Sequence, residues 1–179
     1  MSELVYHATT PSRTAACLHE GLIPYKTTEC KPTTLARDRD YDDQRPDTIR
    51  QIDLRRLNCV YAHLDLANAR ERRNGGWLNR IQSEIAVISI AVNPDEVYVA
   101  DGLLNAPPYT PAEYWASVTT LRHYQEQDNP IYRAPSCYAP SRHDRPDLWR
   151  RYRYMWPEVL IPNGVSASDL ELMPKVNID

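Results

Sequence analysis

Four polar or aromatic side chains lie in or beside strand-like segments of this sequence. The alternation in "ELVYHAT" predicts a strand over 3–9 that ends with His7 and Thr9. Alternate residues of a strand share a face, so these two side chains could together grip a diol or an amide. Tyr61 in "NCVYAHL" could present a flat ring to a planar ligand, and Glu158 opens the apolar segment "EVLIP".

Each of these residues also has an ordinary structural interpretation. A histidine at a strand end and a tyrosine in a strand are more often structural than functional. Glu158 is either a solvated strand end or an acid at the edge of a cleft. A carboxylate at a cleft edge could stabilise developing positive charge or accept a proton. The residue types alone leave both interpretations open.

Composition limits the class of protein. With 179 residues, we expect a single domain over 1–179. The net charge of −3 provides no overall field toward nucleic acid or anionic membrane. The basic residues are 18 Arg and three Lys, and Arg is the better bidentate ligand for phosphate. A genomic preference for GC-rich codons explains the same bias.

Several site classes are not expected. Cys17, Cys30, Cys59 and Cys137 form no CxxC pair, which argues against zinc, although a disulfide stays open. No glycine-rich phosphate loop, GxSxG elbow or HExxH motif is present. We find no signal peptide or membrane span, so we expect a soluble cytoplasmic protein without a metal or membrane partner.

Strands dominate the predicted core and helices are few, which indicates an α+β fold. A helix is expected from Thr10 and Pro11 to Gly21, and another begins at Thr110, with helical spacing continuing to Leu121. Residues 26–56 predict a long polar loop with a short helix near its end.

Further segments complete this outline. A helix is expected after the strand that carries Tyr61. The apolar segment 84–92 predicts a central strand, followed by an "NPDE" turn and a strand "VYVAD", as a hairpin or bent pair. A helix over "DLWRRYRYM" and closing strands "EVLIP" and "LELMPKV" follow.

Arginine and aromatic residues interleave late in the chain. This composition is typical of a platform for single-stranded nucleic acid, and an ordinary arginine-rich surface loop explains it equally well. The residues are Arg133, Arg142, Arg145, Arg150, Arg151, Arg153, Tyr138, Trp149, Tyr152, Tyr154 and Trp156.

The order of the motifs resembles the ADP-ribosyltransferase superfamily, in its branch with a His, Tyr and Glu triad. "VYHATTPSRTAACLHEGLIP" and "CVYAHLDLANA" are similar to its first two segments. Within the superfamily, "VYVADGLLNAPPYTPAEYW" and "PEVLIPNGVSASDLELM" resemble the DarT-like toxins that ADP-ribosylate DNA. Ala8 stands where the family usually has Gly.

The resemblance implies an ADP-ribosyltransferase-like fold: two small sheets packed at a steep angle, with NAD in the cleft between them. His7 and Thr9 would contact ribose, and the backbone of Ala8 would hold the nicotinamide carboxamide. Tyr61 would stack on nicotinamide, and Trp77 could supply a second ring.

The resemblance also implies roles for charged residues. Glu158 would be catalytic. Arg13 is the candidate for contacting the pyrophosphate, and a solvated arginine at the helix start explains it equally well. Arg150, Arg151 and Arg153 are the candidates for contacting the target.

The implied function is an NAD-dependent mono-ADP-ribosyltransferase, a toxin or defence effector acting on DNA or RNA. A toxin of this kind would have an antitoxin as partner. The alternatives are a protein target, an RNA 2′-phosphotransferase-like NAD enzyme, or a nucleotide- or partner-binding module without turnover. Glu158 argues against the phosphotransferase, because that family favours basic residues in place of the acid.

Overall fold

The computed structural model describes residues 2–24, 32–71, 86–105, 107–131 and 145–174. Its strands form one seven-stranded antiparallel sheet in the order β5-β4-β6-β2-β1-β3-β7. The strands are β1 (Glu3–Thr9), β2 (Cys59–His63), β3 (Ala86–Val92), β4 (Tyr98–Asp101), β5 (Thr119–Thr120), β6 (Pro157–Pro162) and β7 (Leu170–Leu172).

Seven α-helices accompany this sheet in the described residues, so the mixed α and β composition is confirmed and the expectation of few helices is wrong. They are α1 (Pro11–Glu20), α2 (Pro32–Asp43), α3 (Asp47–Gln51), α4 (Leu66–Glu71), α5 (Pro111–Ala116), α6 (Leu121–Glu126) and α7 (Pro146–Arg151). Short 3-10 turns cover Arg56–Asn58, Gly102–Asn105 and Ala167–Asp169.

The expectation of two separate sheets is wrong, because the ladder continues from β1 to β2. That junction is narrow: β1 pairs with β2 at one position, Tyr6 opposite His63. By contrast, β1 pairs with β3 at seven positions and β2 with β6 at five. One hydrogen-bonded junction therefore unites a four-strand part, β5-β4-β6-β2, with a three-strand part, β1-β3-β7.

The expected pairing of the strands around "NPDE" is also wrong. The turn itself is present at 94–96, but β4 pairs with β5 and β6 while β3 pairs with β1 and β7. Pairing with β6 buries Val99 and Ala100 of β4 completely. β3 is buried as predicted, yet it is second from the sheet edge, and β2 is the middle strand.

Helix α2 occupies a region for which the sequence predicted a loop. Its buried residues are Asp38, Tyr41 and Asp42, so two of the three inward side chains are charged. A helix whose buried face is acidic has no apolar stripe, and this explains why hydrophobic periodicity missed it. The predicted short helix near the end of that region is confirmed as α3.

The two helices predicted to start at Pro11 and Pro111 begin at those residues, as α1 and α5. At α5, Thr110 Oγ1 accepts from the Glu113 N–H, and Glu113 Oε2 accepts from the Thr110 N–H at 2.9 Å, which completes a capping box. The expected continuation to Leu121 is wrong, because Ser117 follows the end of α5 and its hydroxyl donates back to the Tyr114 carbonyl at 2.7 Å. Leu121 instead begins α6.

Asp101, at the end of β4, fixes the chain that enters β6. Its carboxylate accepts the backbone N–H groups of Met155 at 3.0 Å, Trp156 at 2.9 Å and Leu103 at 3.2 Å. The Gly102 N–H also donates to the Trp156 carbonyl at 2.8 Å. These bonds set the position at which β6 starts.

We predict that Asp101→Asn destabilises the fold. An amide offers one acceptor oxygen where the carboxylate uses two, and each orphaned buried N–H costs about 1–3 kcal/mol. Urea unfolding at pH 7 measures the loss. The control is Asp95→Asn, in an exposed pair with Arg122, which should change stability little. Equal losses in the two variants would contradict the role assigned to Asp101.

The pH dependence of that loss has a definite sign. Burial raises the pKa of Asp101 above 3.8, although its backbone N–H donors oppose the shift. A raised folded pKa means that Asp101 favours the folded state most at low pH, and this benefit is lost as the pH rises through the folded pKa. The loss of unfolding free energy caused by Asp101→Asn should therefore become smaller as the pH rises from 3.8 through the folded pKa of Asp101.

Candidate functional site

A buried arginine lies at the centre of the polar residues on one face of the sheet. Arg56 is 2% exposed and is the first residue of the 3-10 turn that directly precedes β2. Its Nε donates to Asp38 Oδ1 at 3.1 Å, and its Nη1 donates to Glu158 Oε1 at 3.1 Å. One guanidinium thus joins a carboxylate of α2 to a carboxylate of β6. We refer to Arg56, Asp38, Asp42, Glu158, Tyr41, Tyr61 and Tyr114 as the Arg56 cluster.

Three tyrosine rings surround the guanidinium. Arg56 Cζ lies 4.5 Å from the ring centroid of Tyr114, 5.2 Å from that of Tyr61 and 5.5 Å from that of Tyr41. At these distances the negative ring faces attract the cation, and the attraction is strongest where water is excluded. The rings therefore replace part of the hydration that Arg56 loses on burial.

Helix α2 fixes both the side chain and the backbone of Arg56. Asp38 and Asp42 are four residues apart, so they lie on the same side of the helix. Asp42 accepts from the Arg56 N–H at 2.7 Å and from the Leu57 N–H at 3.2 Å. Burial raises the pKa of Asp42, while these two N–H donors act to lower it. The acidic face of α2 thus holds the turn from which β2 starts.

Glu158 is buried, being 3% exposed, so the solvated strand-end interpretation is wrong. It lies in register with His63 of β2 on one side and Ala100 of β4 on the other. Its Oε1 accepts from Arg56 and from the Tyr114 hydroxyl, the latter at 2.7 Å. Both hydrogen bonds that the described residues give to this carboxylate therefore end on Oε1.

Gly102 leaves the space that the other carboxylate oxygen occupies. A Cβ at this position would lie 3.1 Å from Glu158 Oε2 and 3.2 Å from its Cδ. Any larger residue at 102 would press on the carboxylate. The sequence therefore supplies a glycine where the backbone passes close to Oε2.

The structure brings His7, Tyr61 and Glu158 into one region through two separate sets of contacts. His7 Nδ1 lies 2.8 Å from the carbonyl oxygen of Tyr61. Tyr61 and Glu158 lie on the same sheet face as diagonal neighbours, since Tyr61 pairs with Leu160 of β6. The contact of His7 with Tyr61 is thus through the main chain, and that of Tyr61 with Glu158 is through Arg56.

A cross-strand row passes through the narrow junction of the sheet. Tyr6, His63 and Glu158 occupy successive register positions on β1, β2 and β6. By strand alternation, Tyr6 rather than His7 shares this row.

The phenol of Tyr61 donates to the Arg56 carbonyl at 3.0 Å, and burial raises the pKa of that phenol.

The remaining residues expected near NAD lie at the end of β1 and the start of α1. Ala8 is half-buried and Thr9 is 8% exposed, and both pair with β3. Arg13 is exposed in the first turn of α1. Trp77 lies outside the described residues.

The arginines expected to contact the target are exposed around the end of α7. Arg150 and Arg151 belong to α7, and Arg151 Cζ lies 5.3 Å from the ring centroid of Tyr152. Arg153 donates to Gln127 and lies near the ring of Tyr154. Trp149 of α7 packs against the core on the Arg56 side of the sheet. Arg133, Tyr138 and Arg142 lie outside the described residues.

Sequence reasoning missed five members of the cluster. Four of them fell in the predicted loop, where alternating acids and arginines suggested only a solvated, charge-balanced segment: Asp38, Tyr41, Asp42 and Arg56. Tyr114 was passed over within α5. The spacing of Asp38 and Asp42 was a usable signal, because a helix would place both carboxylates together.

Within the described residues, no three or more His, Cys, Asp or Glu side chains are arranged to hold a metal ion. None of the helices there is both long and apolar enough to cross a membrane. Cys17 and Cys59 are free thiols, and burial raises the pKa of Cys59 to about 12.

Comparison with known proteins finds no match to a family model, to a curated protein or to a solved structure.

We predict that Arg56→Met is strongly destabilising. It leaves Asp38 and Glu158 buried without their shared cation, and removing one partner of a buried ion pair costs about 3–5 kcal/mol. Urea unfolding at pH 7 measures the change. The control is Arg37→Met, whose guanidinium also pairs with Asp38 at 3.2 Å but whose side chain is 40% exposed. A loss no larger than that of the control would refute the central role of Arg56.

Proposed function

We propose that this chain is an NAD-dependent ADP-ribosyltransferase with an ADP-ribosyltransferase-like fold. The observation that carries the proposal is the geometry around Glu158. A fixed carboxylate, held through Oε1, shares a sheet face with Tyr61, and His7 reaches the main chain of Tyr61. These are the three residues that the sequence resemblance assigned to NAD binding and catalysis.

The proposed reaction breaks the bond between C1′ of the ribose and N1 of nicotinamide. The electron pair of that bond moves to N1, so neutral nicotinamide leaves and positive charge develops on the ribose. A lone pair of the acceptor atom then forms the new bond to C1′. The acceptor proton passes to the Glu158 carboxylate, which later releases it to water.

Glu158 would contribute most at the transition state. A carboxylate fixed beside the ribose stabilises the positive charge of the transition state more than it stabilises the ground state. It therefore lowers the activation barrier. Arg56 and Tyr114 hold the carboxylate before substrate arrives, so little reorganisation is needed. Oε2, which faces the Gly102 side, is the oxygen that would meet the ribose or the acceptor.

The start of the chain offers donors of the kinds that NAD requires. The imidazole of His7 and the hydroxyl of Thr9 would bind ribose hydroxyls, and the backbone at Ala8 would bind the carboxamide. Tyr61 would contact the nicotinamide ring. Arg13, exposed on α1, would pair with the pyrophosphate.

We propose a nucleic acid, DNA or RNA, as the acceptor, with the protein acting as a toxin or defence effector. Arg150, Arg151 and Arg153 are exposed close together in the chain, and Tyr152 lies between Arg151 and Arg153. Guanidinium groups would meet phosphates while rings stack on bases. The net charge of −3 does not oppose this, because the interaction is local.

A nucleotide- or partner-binding module without turnover is the second candidate. The burial of Glu158 and the use of its Oε1 by two donors favour it, because a carboxylate tied in this way also stabilises a fold. Release of nicotinamide from NAD separates the two candidates.

Glu158→Gln should abolish transfer while NAD binding is retained, because the shape is kept and the charge is lost. Labelled NAD is incubated with DNA, RNA or cell lysate, and both nicotinamide release and label transfer are followed. Calorimetry measures NAD binding. Glu171→Gln, on the exposed edge strand β7, is the matched control and should retain wild-type turnover. Turnover close to wild type in Glu158→Gln would sink the catalytic assignment.

Replacing Arg150 and Arg151 by Gln should weaken binding to single-stranded oligonucleotides without changing nicotinamide release from NAD alone. The slope of log affinity against log salt should decrease by roughly 0.7 for each phosphate that the variant no longer neutralises. Fluorescence anisotropy at several salt concentrations measures this slope. Arg122→Gln, at an exposed position of α6, is the control. An unchanged slope in the double variant would contradict the assigned interface.

A further inference from the structure

We propose that Tyr114 is a positioning residue for Glu158, selecting Oε2 as the carboxylate oxygen that acts on substrate. This inference rests on the proposed function for its consequence. Its structural basis is the hydrogen bond of 2.7 Å from the Tyr114 hydroxyl to Glu158 Oε1.

The ring of Tyr114 is fixed on several sides. It has no solvent exposure, and it meets the rings of Tyr41 and Trp115 edge-on, at centroid distances of 5.4 and 5.2 Å. The indole of Trp115 in turn donates to the Tyr41 carbonyl at 2.6 Å. These packing contacts, together with the capping box that fixes the start of α5, hold the phenol against the carboxylate.

Glu158 Oε1 accepts hydrogen bonds from both Tyr114 and Arg56. Two donors approach this oxygen from α5 and from the turn before β2, whereas Oε2 lies beside Gly102. A carboxylate held by Arg56 alone could turn its plane about the Cγ–Cδ bond. The second donor restricts that turning, so the other oxygen keeps one direction beside Gly102.

Several ionisable groups surround Arg56 and the Glu158 carboxylate. They are Asp38, Tyr41 and Asp42 of α2, Arg56 of the turn, Cys59, Tyr61 and His63 of β2, and Asp101 of β4. All of them remain in a Tyr114→Phe variant. The change therefore removes one donor from Glu158 and leaves the surrounding charges in place.

The experiment compares Tyr114→Phe with Tyr124→Phe. Tyr124 is also a buried tyrosine and packs against the ring of Tyr154, but its hydroxyl has no hydrogen-bond partner in the described part of the chain. Both substitutions keep the ring and remove one hydroxyl. The control thus measures what removal of a buried hydroxyl alone does to the protein.

In Tyr114→Phe, kcat for nicotinamide release should fall about 10- to 100-fold, the equivalent of one hydrogen bond to a charged group. The KM for NAD should not change. Tyr124→Phe should behave as wild type in both measurements.

A second measurement does not depend on activity. The ¹³C carboxyl resonance of Glu158, assigned by its absence in Glu158→Gln, should shift in Tyr114→Phe and not in Tyr124→Phe. An inactive wild-type protein would overturn the proposed function. The resonance would then still test whether Tyr114 donates a hydrogen bond to Glu158. The inference is overturned if the resonance does not shift, or if an active enzyme loses equal kcat in both variants.

Discussion

The desolvation of Arg56 is the constraint on which much of this structure depends. A guanidinium that is 2% exposed needs charge and hydrogen-bond partners within the protein, because burying it unpaired would be prohibitive. Burial acts to lower its pKa, but nearby tyrosines and carboxylates outweigh that effect and keep the pKa raised. The partners come from α2, β2, α5 and β6, so one side chain determines how four parts of the chain meet.

This arrangement links stability to the proposed chemistry. A buried ion pair is weak support for stability by itself, because desolvation offsets much of the attraction. What the arrangement does provide is a carboxylate with a fixed direction. The same bonds that make Glu158 costly to remove would also orient it toward substrate. Substitutions in the cluster must therefore be interpreted with a folding measurement beside each activity measurement.

Local patterns in the sequence predicted several elements and failed at others for a physical reason. The strands around His7, Tyr61 and Glu158 were identified because alternation and apolar runs reflect burial directly. The start of α5 followed from its capping box. Helix α2 was missed because its inward residues are Asp38 and Asp42, which a hydrophobic pattern counts as solvent-facing. The pairing of β4 with β6 was missed because partner choice depends on residues far apart in sequence.

The order of strands has a consequence for how the chain reaches this state. β6 lies between β4 and β2, yet it is the second-last strand to be synthesised. Arg56 and Glu158 are 102 residues apart, so their contact closes a long loop and forms slowly compared with local structure. Until β6 inserts, β2 and β4 each have an unpaired edge. The Arg56 cluster can therefore be completed only after β6 has been synthesised, and a chain that ends before β6 lacks both the acid and the strand that joins β4 to β2.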